Sequence, residues 1–155
     1  MDRKPGGDTL VAGEPSAAAH DWFEVLKHRS FEDAAVVAEV IERFERAGVT
    51  SSMVAEHLVD GGDALYAASR SGAGWADAFG GDQAVALIAA EVGALMSHLV
   101  SRAASVRSRG VDALLDDFSA VTVANALGVS RQKVYDIAKS TQDREYLETT
   151  PWRSQ

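Results

Sequence analysis

Six polar side chains gather within nine residues near the end of the chain, in the segment RQKVYDIAK. At about 100° per residue, a helix over this segment points Val134, Ile137 and Ala138 to one side. The polar side chains lie opposite that side or flank it: Arg131, Gln132, Lys133, Tyr135, Asp136 and Lys139. Arginine and glutamine can pair with guanine and adenine, lysine and tyrosine can hold phosphates, and aspartate can accept a hydrogen bond only from cytosine. This face could therefore read the major groove of double-stranded DNA.

The residues before this segment suit a turn between two short helices. The small Ala124 lets two helices approach closely, and Leu127 is expected to add a core contact of the first helix. Gly128 fits a left-handed turn position that a side chain would strain. Val129 would fill the angle between the helices, and Ser130 can cap the second one. The spacing from Ala124 to Ser130 predicts a helix-turn-helix.

With a short helix over 111–118 in front of it, this unit resembles the trihelical helix-turn-helix of homeodomain-like bacterial DNA-binding domains, as in resolvase C-terminal domains and many small regulators. The pieces LGVSR and VY carry the resemblance, which covers 111–140, about a fifth of the chain. The resemblance implies that 131–139 is the recognition helix, and it adds Ser130 to the residues expected at the DNA. Residues 1–100 resemble no family that we recognise.

The charge of the chain confines any contact with DNA to a small region. The formal net charge is −8, which excludes a general coat of positive charge. Residues 1–100 hold 7 Lys/Arg against 16 Asp/Glu, a net of −9, whereas 101–140 hold 6 against 4, a net of +2. The only positive segment thus contains the helix-turn-helix, although Asp112, Asp116 and Asp117 would repel phosphate if they faced DNA.

Residue types that carry catalysis or bind metals are absent or scattered. The chain has no cysteine, and its histidines form no pairs at i, i+3 or i+4 that could hold a metal: His20, His28, His57 and His98. We expect these histidines to be structural, at the surface or half-buried. No nucleophile elbow, phosphate-binding loop or dinucleotide fingerprint occurs. The sequence therefore predicts a protein that is not an enzyme and has no cofactor and no metal.

The elements that must position this segment are predicted to be helices throughout, giving an all-α fold. Residues 1–17 read as a flexible tail, 18–109 as an acidic helical region, 110–140 as the helix-turn-helix and 141–155 as a C-terminal tail. Within the acidic region, Ser30 and Asp33 suggest a capping box that begins a helix at Ser30. Gly48 marks the end of that helix, and Thr50 or Ser51 begins the next one.

A long helix is predicted over about 82–108, ended by Gly110. Its apolar residues recur every three or four positions: Val85, Ile88, Val92, Leu95, Leu99, Ala103 and Val106. Such a helix is either the central strut of the fold or half of a dimer interface. A single trihelical unit with few basic residues makes few phosphate contacts, so we expect a homodimer, with its contact on the Leu95 to Leu99 face.

The expected function is that of a DNA-binding transcriptional regulator or an accessory factor of a mobile element. No continuous apolar run approaches the ~20 residues of a membrane span, so the sequence predicts a cytoplasmic protein that contacts no membrane. The first alternative is a non-enzymatic protein-interaction module, in which the acidic N-terminal region binds a basic protein partner. The second is a regulatory subunit of an enzyme.

An upstream stretch could be a degenerate copy of the helix-turn-helix. Residues 50–71 align with 119–140 at an offset of 69, and 5 of 22 positions are identical. Alanine-rich helices also produce such matches by chance. If the copy is real, it has lost its basic face and would serve packing or protein binding.

Overall fold

The computed structural model describes residues 17–140 and 145–152. Within these ranges every regular element is helical and no strand occurs, which confirms the all-α prediction. Three short 3₁₀ turns, Lys27–Arg29, Trp75–Phe79 and Glu145–Glu148, accompany the helices. The α-helices are α1 (Ala17–Val25), α2 (Ala34–Arg46), α3 (Ser51–Val59), α4 (Asp63–Ser69), α5 (Asp82–Asp117), α6 (Ala120–Leu127) and α7 (Arg131–Lys139). The predicted N-terminal tail lies outside the described residues except for Ala17.

The predicted start of the second helix at Ser30 is wrong by one turn. The carboxylate of Asp33 accepts a hydrogen bond from the Ala35 N–H at 2.8 Å, so Asp33 caps α2. The Ser30 N–H instead donates a hydrogen bond to the Lys27 carbonyl and so closes the preceding 3₁₀ turn. The other two boundaries are confirmed, because Gly48 follows α2 with φ 72° and Thr50 caps α3.

The larger of two apolar cores lies in the N-terminal body, which we define as 17–99. Helix α5 runs along it, and its Ile88 and Leu95 are fully buried there. Trp22 of α1 stacks on Phe44 of α2 with ring centroids 5.3 Å apart. Because Leu95 is buried within the monomer, the predicted dimer contact on the Leu95 to Leu99 face is wrong.

Helix α5 is longer than expected and does not end at Gly110. It continues to Asp117 over 36 residues, about 54 Å. Gly110 costs such a helix only about 1 kcal/mol relative to alanine. The neighbouring residues Ser108 and Val111 are buried against the next helices and hold this part of α5 in place. The predicted separate helix over 111–118 is therefore the final part of α5, and the expected boundary at residue 110 falls inside it.

The two halves of α5 are buried on opposite sides of the helix. Between Ala84 and His98 the buried residues face the N-terminal body, whereas Ser108 and Val111 face α6 and α7. At about 100° per residue, the mean directions of these two sets differ by about half a turn around the helix axis. The second core, built from the end of α5, α6 and α7, thus forms a C-terminal unit on the other side of the helix.

The segment Glu145–Trp152 returns to the N-terminal body. Leu147 and Thr150 are buried, and the Thr149 hydroxyl donates to the Lys27 carbonyl at 2.9 Å. The Thr149 and Ser30 hydroxyls also lie 3.0 Å apart. Part of the predicted C-terminal tail is therefore packed on the fold.

Among the described residues, α5 is the one helix that is long and apolar enough to cross a membrane by length and composition. The sequence-based expectation missed it because Glu91 interrupts the apolar run. In the fold, α5 is the main core helix, and 33% of its most apolar 18-residue stretch is buried. Core helices of water-soluble proteins meet the same criterion, so length and apolarity do not identify a membrane span.

Candidate nucleic-acid interface

The turn between α6 and α7 has the predicted local geometry. Gly128 adopts a left-handed conformation, with φ 67° and ψ 33°, and its N–H donates to the Ala124 carbonyl. The Ser130 hydroxyl then accepts a hydrogen bond from the Lys133 N–H at 3.1 Å and caps α7. Ser119 caps α6 in the same way, by accepting from the Thr122 N–H. Local hydrogen bonds therefore fix both helix starts and the turn.

A small apolar core holds α7 against α5 and α6. Its buried members are Val111, Val123, Ala124, Val134 and Ile137, with Val129 and Ala138 partly buried beside them. The prediction that Leu127 belongs to this core is wrong, because its side chain is 41% exposed. Leu127 is the last residue of α6, and Val129, beyond the turn, closes the core instead.

All six predicted contact residues of α7 are exposed, while Val134 is completely buried. The helix therefore presents one polar face, which we call the α7 face: Arg131, Gln132, Lys133, Tyr135, Asp136 and Lys139. With three cations and one anion it has a local charge of +2. Ser130 lies at the helix start, also exposed.

Two interactions organise the α7 face. The Gln132 side-chain amide donates to the Asp136 carboxylate at 3.1 Å. The Arg131 guanidinium lies 6.0 Å from the centroid of the Tyr135 ring, at the limit of a cation–π contact. Gln132 must therefore exchange its bond to Asp136 for a bond to a base edge before it can read adenine bidentately.

A groove of about 420 Å³ separates the end of α7 from α5. Its walls include Val100 and Arg107 on α5 and Lys133 and Ile137 on α7. The charged side chains that line it are Arg107, Lys133 and Asp136, which sum to +1. Asp112, Asp116 and Asp117, which would repel phosphate if they faced DNA, are exposed on the last turns of α5.

The N-terminal body contains a buried polar cluster that the sequence did not predict. Glu91 is 2% exposed and lies 2.6 Å from His28 Nε2, with Arg29 donating to both carboxylate oxygens. Burial raises the pKa of Glu91, but the hydrogen bonds from His28 and Arg29 outweigh it, so the pKa lies below its ordinary value. Glu91 is thus a structural carboxylate that stays ionised.

The histidines are more deeply buried than expected. His28, His57 and His98 are all buried, and the His20 side chain lies outside those described. His28 and His98 are neighbours, with ring centroids 6.4 Å apart. Nevertheless, the described residues contain no group of three or more His, Cys, Asp or Glu side chains that could hold a metal ion.

The suspected upstream copy is also a pair of short helices joined by a glycine turn. Helices α3 and α4 correspond to α6 and α7 in the alignment. Gly61 and Gly62, between α3 and α4, both have positive φ. The buried Val54 and Leu65 occupy the positions of Val123 and Val134 at the offset of 69. The exposed side of α4 lacks the three cations of α7. The shared arrangement is a packing similarity and does not establish a repeat.

Comparison with known proteins adds no relative to this description. No family model, no curated protein and no solved structure matches the chain. Function is therefore inferred from the chain's own residues and their placement.

Proposed function

We propose that this protein binds double-stranded DNA by inserting α7 into the major groove, as a transcriptional regulator or an accessory factor of a mobile element. The observation that carries the proposal is the two-sided character of α7. Val134 and Ile137 anchor one side in the C-terminal core, while the α7 face projects six polar side chains away from it. An anchored short helix with a polar, basic outer face is the arrangement that major-groove recognition requires.

The side chains divide by chemistry into two groups. Lys133 and Lys139 are suited to phosphates, which position a protein on DNA without reading its sequence. Arg131 and Gln132 are suited to base edges. Asp136 favours cytosine because its carboxylate can accept a hydrogen bond from the N4 amino group of that base. Specificity would therefore arise mainly at Gln132 and its neighbours.

The charge distribution supports local binding to DNA. The chain carries −8 overall, but the α7 face carries +2 and lies beside Arg107. The acidic N-terminal body would repel a second DNA segment and so discourage non-specific binding. Affinity from so few cations should be modest, and it should fall with rising salt at a log–log slope of only about −0.9 for each neutralised phosphate.

A selection from random duplexes, followed by fluorescence anisotropy over a series of salt concentrations, tests the proposal. Wild-type protein should enrich a defined sequence, and Lys133→Ala should weaken binding to all duplexes and flatten the log–log salt slope by about one unit per site. Arg70→Ala, which removes an exposed cation from the end of α4, is the matched control and should change neither quantity. Failure to enrich any sequence at moderate salt would contradict the proposal.

The alternative is a protein-interaction module. The net charge of −9 in residues 1–100 is the observation that favours it, since this surface would suit a basic protein. In that case DNA selection should fail, and a basic partner should bind more weakly when exposed glutamates of α2, such as Glu42 and Glu45, are replaced by glutamine.

A further inference from the structure

One cation beside the α7 face belongs to a different helix. Arg107 of α5 and Lys133 of α7 line the two walls of the groove between these helices, and both residues are exposed. Neither side chain has a hydrogen bond or an ion pair with any described residue. Two such cations on the walls of one groove can be bridged by an anionic group such as a phosphate.

The third charged side chain of the groove is Asp136, which would repel a phosphate. At about 100° per residue, Asp136 lies about 130° from the mean direction of the buried Val134 and Ile137, whereas Lys133 lies only about 70° from it. Asp136 therefore stands near the middle of the α7 face, and its carboxylate accepts a hydrogen bond from the Gln132 amide at 3.1 Å. Lys133 stands at the edge of that face toward α5.

The exposed aspartates at the end of α5 do not share the Arg107 side of the helix. At about 100° per residue, Asp112 lies about 140° and Asp116 about 180° from Arg107 around the helix axis. Asp117 lies about 80° from Arg107 and about 15 Å further along the axis, beyond the Debye length of about 10 Å at 0.1 M salt. A phosphate can therefore approach Arg107 without meeting these three carboxylates.

The other neighbour of α7 offers no cation. Residues 118–130, which comprise α6 and the residues on either side of it, contain no Lys, Arg, Asp or Glu. In helix-turn-helix proteins the first helix of the pair crosses the DNA backbone. Here the charge that could attract a backbone beside α7 comes from α5 instead, through Arg107.

We infer that Arg107 and Lys133 bind the same or adjacent phosphates of one DNA strand at the mouth of the groove between α5 and α7. The inference rests on the proposed function and adds to it a contact from α5 and the side of α7 on which that strand runs. Arginine suits the contact because its planar guanidinium can donate two parallel hydrogen bonds to a phosphate. The middle of the α7 face then meets the bases.

Fluorescence anisotropy with the duplex that the wild type selects tests the contact. Arg107→Gln should weaken binding about eightfold at roughly 0.1 M salt and flatten the log–log salt slope by about 0.9, the effect of one lost phosphate. Arg107→Lys keeps the charge and should keep most of the slope. Arg109→Gln removes an exposed cation of α5 about 160° away around the axis and should bind as the wild type does.

Two further measurements separate a phosphate contact from a structural effect. Selection with Arg107→Gln should enrich the same sequence as the wild type, because phosphate contacts carry no sequence information directly. Neutral methylphosphonate groups, placed singly along the selected duplex, should include a position that weakens the wild type and leaves Arg107→Gln unaffected. Lys133→Ala should become insensitive at the same position or at the adjacent one on the same strand. Unchanged melting temperatures of the variants would verify the fold.

The outcomes distinguish this inference from the proposed function. If the wild type enriches a sequence but Arg107→Gln has the same salt slope as Arg109→Gln, the inference is overturned and the proposed function stands. Positions of Arg107 and Lys133 on different strands, or no position to which Arg107→Gln is insensitive, would also overturn it. If the wild type enriches no sequence, the proposed function fails and the inference fails with it.

Discussion

The Ser108 hydroxyl on α5 donates a hydrogen bond to the Ala138 carbonyl on α7 at 3.2 Å, and the Ser108 side chain is completely buried. This bond joins the last turn of the proposed recognition helix to the long helix. Loss of a buried hydrogen bond costs about 1 kcal/mol on average. We therefore expect Ser108→Ala to destabilise the C-terminal unit by about that amount in chemical denaturation. Ser52→Ala, an exposed change on α3, is its control, and equal effects of the two would show that the bond is unimportant.

Gly128 should tolerate few side chains. At φ 67° a β-branched residue is strained, so Gly128→Val should lower the free energy of unfolding by about 1 kcal/mol or more. A Cβ at Gly128 meets no other atom within 4 Å, so the cost comes from the backbone and not from a clash. Gly128→Asn should cost less, because asparagine enters the left-handed region more easily. Thermal melts compare the two, and equal stability of the valine variant and the wild type would refute the turn geometry.

Gly110 should respond in the opposite direction. It lies inside α5, about two turns before the helix ends at Asp117, its φ is not positive, and a Cβ there meets nothing within 4 Å. Gly110→Ala should therefore raise the free energy of unfolding by about 0.5–1 kcal/mol. A loss of stability on urea denaturation would mean that α5 bends or breaks at this residue.

His98 makes stability depend on pH. Burial lowers its pKa below the ordinary 6.5, and the hydrogen bond with the Thr149 backbone opposes this only in part. The folded protein thus holds this proton less readily than the unfolded chain, so the stabilisation is complete above pH 6.5 and is lost as the pH falls below it. Urea denaturation at roughly pH 7.5 and roughly pH 5.5 should show a smaller drop for His98→Gln than for the wild type. An identical drop in both proteins would exclude His98 as the cause.

Gln132 should affect specificity without affecting the fold. Its side chain is exposed and its one hydrogen bond, to Asp136, lies on the surface, so Gln132→Ala should leave the melting temperature unchanged. If Gln132 reads a base edge, the variant should lose ~1–3 kcal/mol of discrimination at one base pair. Binding to the selected duplex and to single-substitution duplexes measures this loss. Unaltered discrimination at every position would remove Gln132 from the reading residues.

The features that the sequence predicted well are those governed by neighbours in the chain. A capping serine, a glycine with positive φ and a buried Val134 each follow from a few adjacent residues, so the α6–α7 turn and the exposure of the α7 face were predictable. Whether that face binds DNA is a separate question, because exposure and charge permit binding without requiring it.

The features that the sequence missed depend on distant contacts. Gly110 would end an isolated helix, but Ser108 and Val111 pack against α6 and α7 and keep it helical. The contact between His28 and Glu91 joins residues 63 positions apart, and nothing around either residue marks it in advance. The dimer contact predicted on the Leu95 to Leu99 face was wrong for the same reason. Apolar periodicity shows that one side of a helix is buried, but it does not show whether this chain or a second copy covers that side.

Helix α5 also fixes the angle, measured around its own axis, between the N-terminal body and the C-terminal unit. It buries one side in the N-terminal body and nearly the opposite side in the C-terminal unit, and it is continuous between them. One residue inserted between Leu99 and Ser108 would turn α7 by about 100° and advance it by about 1.5 Å, whereas seven would restore its angle to within about 20°. The direction in which α7 points therefore depends on the exact number of residues in this part of α5. Insertions of a whole number of helical repeats preserve that direction, and other insertions change it.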